Sequence, residues 1–237
     1  MSLAFAVPVL APWHEDLWDT ILDLSLLLQD ESWALVGGQT VVAHGLAHDA
    51  VAPQMTRKSD GTGCLVTSAG SMHVVTRSMR DLGFSVEKPN ESDPLYRFVR
   101  DADQTSADTS AQVWTAHVVG VTEHLGGDQA LARRVPYQVT KGLRSPWVPV
   151  PDLISTIIYE AAQFSTDTAE PFAHARDTAF LVSLISDPDR ERARLTPADR
   201  RALRSLDAAV GERSHHVWAQ LPFDRDAFTR WRLLLAT

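Results

Sequence analysis

The stretch "WALVGGQTVVAHGL", residues 33–46, begins with a short apolar run that ends at Gly37 and Gly38. Such a run fits a buried strand that turns sharply, and residues 39–48 then fit a helix. A second stretch, "TRKSDGTGCLV" at 56–66, contains a polar turn and another short strand candidate. Together the two stretches predict a strand, a glycine turn, a helix and a second strand.

The rest of the chain continues this mixture and then changes to helices only. Periodicity and turn residues predict further strands and helices before residue 149. The strands are expected at 84–88, 95–99, 113–119 and 137–140, and the helices at 13–29 and 71–82. Later segments all have helical spacing, at 152–164, 172–185, 196–210 and 225–236. The pattern predicts an α+β protein.

Two domains are expected from this change of period. Residues 1–145 would form a mixed β-sheet with flanking helices, and residues 146–237 would form a helical C-terminal domain. The segment "RSPWVPVPD" at 144–152 holds three prolines and is the expected hinge between them.

The composition limits which binding partners and which cellular compartment are expected for the protein. A formal net charge of −8 disfavours nucleic acid, although Arg133, Arg134, Lys141 and Arg144 could contribute to a local basic face. Cys64 is the sole cysteine, so no internal disulfide can form and the cytoplasm is the expected compartment. No apolar run reaches the roughly 20 residues of a membrane span, and no membrane role is expected.

The order of strand, Gly-Gly turn, helix, Arg-x-Ser turn and strand resembles the nucleotidyltransferase superfamily, in its minimal, abortive-infection toxin type. Three later segments are also similar to parts of that family. They are "LYRFVR" at 95–100, "AHVVGVTEHLG" at 116–126 and "HARDTAFLVSLI" at 174–185. The resemblance implies a nucleotidyltransferase-like fold whose glycine turn faces a triphosphate. In the family, an Asp-x-Asp pair and a third carboxylate bind two magnesium ions.

The matching positions of this sequence do not carry those carboxylates. Aligning Arg57 and Ser59 with the family motif places Gly61 and Gly63 on the two aspartates. The match of "AHVV" places His117 on the third carboxylate. Glycine offers no ligand, and histidine suits zinc better than magnesium. The resemblance therefore implies a catalytically degenerate protein with no intact catalytic residue and no metal cofactor.

A second register of the same motif keeps one carboxylate. It places Asp60 on the first aspartate and Thr62 on the second, so Asp60 is the fallback ligand. The first register is favoured because it leaves "CLV" in the strand positions that follow the pair.

The nucleotide cradle could persist without the metal. Backbone N–H groups at Gly37, Gly38 and the following helix terminus can bind phosphate without any side chain. Arg57 could add charge-assisted hydrogen bonds, with Ser59 beside it. The alternative is that the glycines only make a tight turn.

Three functions follow from these patterns. The favoured one is a degenerate protein that binds a nucleoside triphosphate or a protein partner in a regulatory or toxin-related role. The second is an active magnesium-dependent transferase whose ligands lie elsewhere, with Asp60, Glu123 and Asp177 as candidates. The third is a protein-interaction module that binds no nucleotide.

Two other groups of residues carry chemistry in principle. His44 and His48 are four residues apart on a predicted helix, a spacing that can bind a metal, although packing is the simpler interpretation. Cys64 lies in an apolar strand context and is interpreted as a small buried hydrophobe rather than a nucleophile.

Overall fold

The computed structural model describes most of the chain. The described residues are 3–8, 12–53, 62–87, 96–101, 113–120, 126–167, 170–219, 221 and 226–236. The strands are β1 (Leu3–Ala6), β2 (Trp33–Val36), β3 (Thr62–Thr67), β4 (Ser85–Glu87), β5 (Tyr96–Asp101), β6 (Val113–Gly120), β7 (Arg134–Thr140) and β8 (Trp147–Pro151). The helices are α1 (Pro12–Leu27), α2 (Gly38–Ala47), α3 (Met72–Asp81), α4 (Gly127–Ala132), α5 (Leu153–Gln163), α6 (Pro171–Ser183), α7 (Pro188–Ala193), α8 (Pro197–Val210), α9 (His216–Ala219) and α10 (Ala227–Leu235).

A five-stranded mixed sheet has the order β2-β3-β6-β5-β4, in which β3 and β6 are parallel and the other pairs antiparallel. All four residues of β2 are buried. Trp33 and Leu35 belong to the main core, whereas Ala34 and Val36 belong to a smaller cluster with residues of α4 and α5. The sheet is therefore covered on both faces at β2, which explains why the strand reads as an uninterrupted apolar run.

A separate three-stranded sheet has the order β1-β7-β8, with β1 parallel to β7 and β8 antiparallel to it. Pro136 and Pro149 stand opposite each other in the β7–β8 hairpin. Proline is tolerated there because β8 pairs with only one strand of its sheet, and because Pro136 precedes Tyr137, where the pairing of β7 with β1 begins. The expected hinge at 144–152 thus contains a strand, and the boundary expected after residue 145 falls within the hairpin.

Strand β8 ends at Pro151, and the next residue, Asp152, is the N-cap of α5. The Asp152 side chain accepts a hydrogen bond from the Ser155 N–H at 3.0 Å. Beyond it, Thr196 and Asp199 form a capping box at the start of α8, the helix predicted over 196–210. The main core cluster includes Trp18 from the first part of the chain and Trp231 from the last. The strands and the C-terminal helices therefore share one core.

Candidate functional site

The glycine turn predicted between β2 and α2 is present. Gly37 has φ 71° and ψ −157°, a conformation that residues other than glycine rarely adopt. A Cβ atom added at Gly37 would also lie 3.4 Å from the Cβ atom of Cys64 on β3. The turn thus requires glycine on conformational grounds and brings the start of α2 against β3. Gly38 begins the helix, and the Thr40 N–H donates to the Gly37 carbonyl at 2.9 Å, so the N–H groups of Gly38 and Gln39 are the ones without a carbonyl acceptor within the helix by geometry.

Two polar side chains in the first turn of α2 are buried. Gln39 is 4% exposed and Thr40 is fully buried. Within the described part of the chain, neither Gln39 Oε1 nor Thr40 Oγ1 has a hydrogen-bond partner. An unpartnered buried polar atom costs about 1–3 kcal/mol. A bound group that hydrogen-bonds here would recover that cost, and the Thr40 hydroxyl is able to donate to a phosphate oxygen.

The register of β3 and β6 positions two of the predicted degenerate residues. Gly63 pairs with Ala116, whereas His117 pairs with Cys64. Positions along a strand alternate between the two faces of a sheet, so positions 63 and 117 lie on opposite faces. In the backbone register, position 117 is therefore level with Cys64, one residue along from Gly63. Gly61, Asp60, Arg57, Ser59 and Glu123 lie outside the described residues.

Cys64 lies between the glycine turn and α5. It pairs with Val36 in the sheet and packs against the small cluster that contains Tyr159. Burial, and then the negative charge of Glu160, raise the pKa of the Cys64 thiol to about 12. A thiol that remains protonated is neither a nucleophile nor a good metal ligand. Cys64 therefore acts as the small apolar residue that the sequence predicts.

The C-terminal helices contribute a charged cluster on this side of β3. Glu160 on α5 is 1% exposed, and its Oε2 accepts a hydrogen bond from His174 Nδ1 on α6 at 2.6 Å. His174 Nε2 donates to Asp167 Oδ2 at 3.1 Å. Burial alone would lower the pKa of His174, but the hydrogen bonds and charges of Glu160 and Asp167 raise it to about 9. His174 is therefore an imidazolium held between two carboxylates.

One oxygen of Glu160 remains without a partner. Among the described residues, Oε1 makes no hydrogen bond. The negative charge of Glu160 contributes to the raised pKa of the Cys64 thiol, and Cys64 is the residue that a Cβ atom at Gly37 would contact. Sequence reasoning missed Glu160 and His174. The available signal was a single charged residue within the apolar run "ISTIIYEAAQF".

The remaining sequence candidates have structural partners. His44 Nε2 donates to the Pro151 carbonyl at 3.1 Å, and its Nδ1 accepts from the Tyr137 hydroxyl at 2.8 Å. Burial chiefly lowers the pKa of His44 to about 3, so the ring is neutral. Asp177 lies buried on α6. No group of three His, Cys, Asp or Glu side chains in the described part of the chain is arranged to hold a metal ion.

The basic residues considered for a nucleic-acid surface contact the chain itself. Lys141 Nζ lies 2.6 Å from Asp19 Oδ2, and Arg144 pairs with both Asp19 and Asp23. Arg134 donates to the Leu131 carbonyl at 2.6 Å. These contacts fasten the β7–β8 hairpin to α1 and reduce the positive charge that the hairpin offers to solvent. Within the described residues, no helix is long and apolar enough to cross a membrane.

The whole fold is similar to that of an antigenic nucleotidyltransferase-like protein from Paracoccidioides brasiliensis. The TM-score is 0.56 at 12% sequence identity, over 90% of this chain and 95% of that chain. The fold is nucleotidyltransferase-like. It is the α+β arrangement that the sequence predicts, and the likeness extends through the C-terminal helices.

Two structures of the antibiotic-resistance factor ANT(2'')-Ia are less similar to this nucleotidyltransferase-like fold. Its solution structure gives a TM-score of 0.45 at 16% identity, over 86% of this chain and 97% of that chain. Its crystal structure in complex with adenylyl-2''-tobramycin gives 0.45 at 13% identity, over 81% and 97%. No protein-family model matches the sequence, and no curated protein matches it significantly.

Proposed function

We propose that this nucleotidyltransferase-fold protein binds the phosphates of a nucleoside triphosphate at the Gly37–Gly38 turn without performing metal-dependent transfer. The observation that carries the proposal is the first turn of α2. Backbone N–H groups at a helix N-terminus attract anions, and here they adjoin the buried Thr40 hydroxyl that has no partner within the described residues. Phosphate oxygens are acceptors that satisfy such donors.

The absence of catalysis is argued from the strand beside the turn. The described strand β3 runs from Thr62 to Thr67 and contains no carboxylate. Two-metal chemistry needs oxygen ligands next to the phosphates, and the neighbouring Cys64 is a protonated thiol. The buried carboxylate of Glu160 is already paired with the His174 imidazolium. This favours binding without transfer, in the regulatory or toxin-related role to which the sequence resemblance points.

Calorimetric titration with ATP, GTP, CTP and UTP, each with magnesium or with a chelator, tests the proposal. We expect binding of at least one nucleotide that does not depend on magnesium. Gly38→Glu should abolish this binding, because a carboxylate then occupies the anion site. Glutamate is well tolerated in the first turn of a helix, so the fold should persist.

The matched control is Gly70→Glu in the exposed turn before α3, where an added Cβ atom meets only Ser68 Oγ, at 3.9 Å. This variant should bind nucleotide as the wild type does. Binding that requires magnesium would instead support an active transferase with displaced ligands, and Asp177→Asn would then be the first variant to assay. The absence of binding heat in every titration would contradict nucleotide binding and favour a protein-interaction module.

A further inference from the structure

A second cavity lies away from the glycine turn, between the three-stranded sheet and the C-terminal end of α2. Its volume is about 680 Å³, within the range of about 300–1,000 Å³ that is usual for small-molecule sites. Leu3 of β1, Val135 of β7 and Leu153 of α5 contribute apolar walls. His48 lines it as well, one residue beyond the end of a ten-residue helix that begins at the glycine turn. The two sites are thus about 15 Å apart.

Trp147 gives this cavity a flat aromatic wall. The residue begins β8, lines the cavity and is 49% exposed. A tryptophan with half of its surface in solvent, at the edge of an apolar cavity, retains a ring area that a planar ligand can cover. Offset stacking on such a ring contributes beyond the burial of area alone.

The lining residues offer the Trp147 indole N–H as a donor and the imidazole of His48 as an acceptor of hydrogen bonds. His48 Nδ1 lies 2.8 Å from the His44 carbonyl oxygen, which can only accept, so Nδ1 carries the proton. In this tautomer, Nε2 of His48 is the ring nitrogen that can accept a hydrogen bond. The Tyr137 hydroxyl is already donated to His44 Nδ1. A ligand that hydrogen-bonds to His48 Nε2 must therefore bring its own N–H or O–H donor.

The charge of the side chains that line this cavity makes it unsuitable for a phosphate group. Asp152 is the charged side chain among the described residues that line it, and it is paired with Arg194. Its carboxylate also caps α5 through the Ser155 N–H. The lining therefore offers no cation to a phosphate group. An uncharged ligand suits it better than a nucleotide.

We propose that this cavity binds a small, uncharged aromatic molecule with one N–H or O–H donor, stacked on Trp147 and hydrogen-bonded to His48 Nε2. Both interactions come from residues that the proposed nucleotide site does not use. Binding here is consequently independent of whether the glycine turn binds a triphosphate.

The test uses the full chain with indole and phenol as donor-bearing probes and 1-methylindole as the matched probe without a donor. Ligand-observed NMR with titration gives the dissociation constants. We expect saturable binding of indole or phenol, with indole bound about tenfold more tightly than 1-methylindole, the worth of one hydrogen bond. Adding ATP should leave indole binding unchanged, whether or not ATP binds.

Two substitutions assign the contacts. Trp147→Ala should weaken indole binding about tenfold, whereas Trp147→Phe keeps a ring and most of the affinity. His48→Phe should remove the preference for indole over 1-methylindole, because the acceptor is gone. Thermal unfolding of each variant confirms that it is folded. Absence of saturable binding of both donor probes, unchanged affinity in Trp147→Ala, or an unchanged preference in His48→Phe would each overturn the proposal.

Discussion

At the C-terminal end of α2, His44 uses both ring nitrogens, one with the Tyr137 hydroxyl and the other with the Pro151 carbonyl and the Thr156 hydroxyl. At the N-terminal end of the same helix, Gln39 and Thr40 are equally buried, yet neither side-chain oxygen has a partner within the described residues. One helix thus carries a satisfied polar network at one end and unsatisfied polar atoms at the other.

The difference separates polar groups that stabilise the fold from polar groups that are available to a ligand. A completed buried network contributes to stability and fixes the position of the elements it joins. An uncompleted one costs stability until a water molecule or a ligand completes it. We therefore expect substitutions at the two ends of α2 to change the free energy of unfolding differently.

The largest expected effect is acid destabilisation through His44. Its pKa is lowered from 6.5 to about 3, chiefly by burial, so the unfolded chain takes up a proton that the folded chain refuses. This contribution is complete above pH 6.5 and is lost as the pH falls towards about 3, by on the order of 4 kcal/mol. Urea unfolding at a series of pH values measures it. His44→Gln should show a shallower acid limb, and an identical limb would contradict the prediction.

The second effect is alkaline and concerns the charged cluster of Glu160, His174 and Asp167 in the C-terminal helices. The pKa of His174 is raised from 6.5 to about 9, so its ion pairs stabilise the fold fully below pH 6.5. As the pH rises through about 9, the proton is lost and stability should fall by on the order of 2 kcal/mol. The same unfolding series, extended to alkaline pH, measures this loss. In His174→Gln the alkaline limb should be absent, and its persistence would refute the assignment.

A smaller effect is expected when the satisfied network loses one member. Tyr137→Phe removes the hydroxyl that donates to His44 Nδ1, and leaves a buried acceptor unpaired. We expect a loss of about 1.5 kcal/mol in the free energy of unfolding. Denaturant unfolding at neutral pH gives the value. Combined with His44→Gln, the substitution should cost less than the sum of the two single changes, and strict additivity would argue against the network.

The smallest effect on stability should come from Thr40→Val. This substitution keeps the shape of a fully buried side chain and removes a hydroxyl that has no partner within the described residues. The change in unfolding free energy should lie within about 0.5 kcal/mol of zero, or be stabilising. Nucleotide affinity in the calorimetric titration should nevertheless fall. A destabilisation of more than about 1 kcal/mol would show that the two ends of α2 do not differ in this way.

Local sequence pattern was sufficient for β2, the glycine turn, α2 and β3. It did not predict the strand β8, because Pro146, Pro149 and Pro151 were interpreted as a hinge. The prolines of β8 are tolerated because this strand pairs with a single partner, β7. Since β7 lies outside the segment, the segment alone does not reveal the strand. The sequence also could not give the pairing of His117 with Cys64, because strand register depends on contacts between distant segments.

The charged cluster was out of reach of sequence reasoning for a similar reason. Glu160 and His174 lie on different helices, and only the packing of α5 against α6 brings their side chains within 2.6 Å. Helical spacing predicts neighbours three or four residues apart on one helix, not fourteen residues apart on two. What the sequence did reveal was the turn, because a positive φ requires glycine locally at Gly37.

The parallel pairing of β1 with β7 constrains the order in which the chain folds. Leu3 to Ala6 find their partners at Tyr137 to Thr140, more than half the chain away. During synthesis on the ribosome, β1 emerges first and remains unpaired with β7 until that distant strand appears. Long loop closure of this kind is slow, so docking of β1 should be a late step. In pulse-labelled hydrogen exchange, the amides of β1 should gain protection after those of β2 and β3.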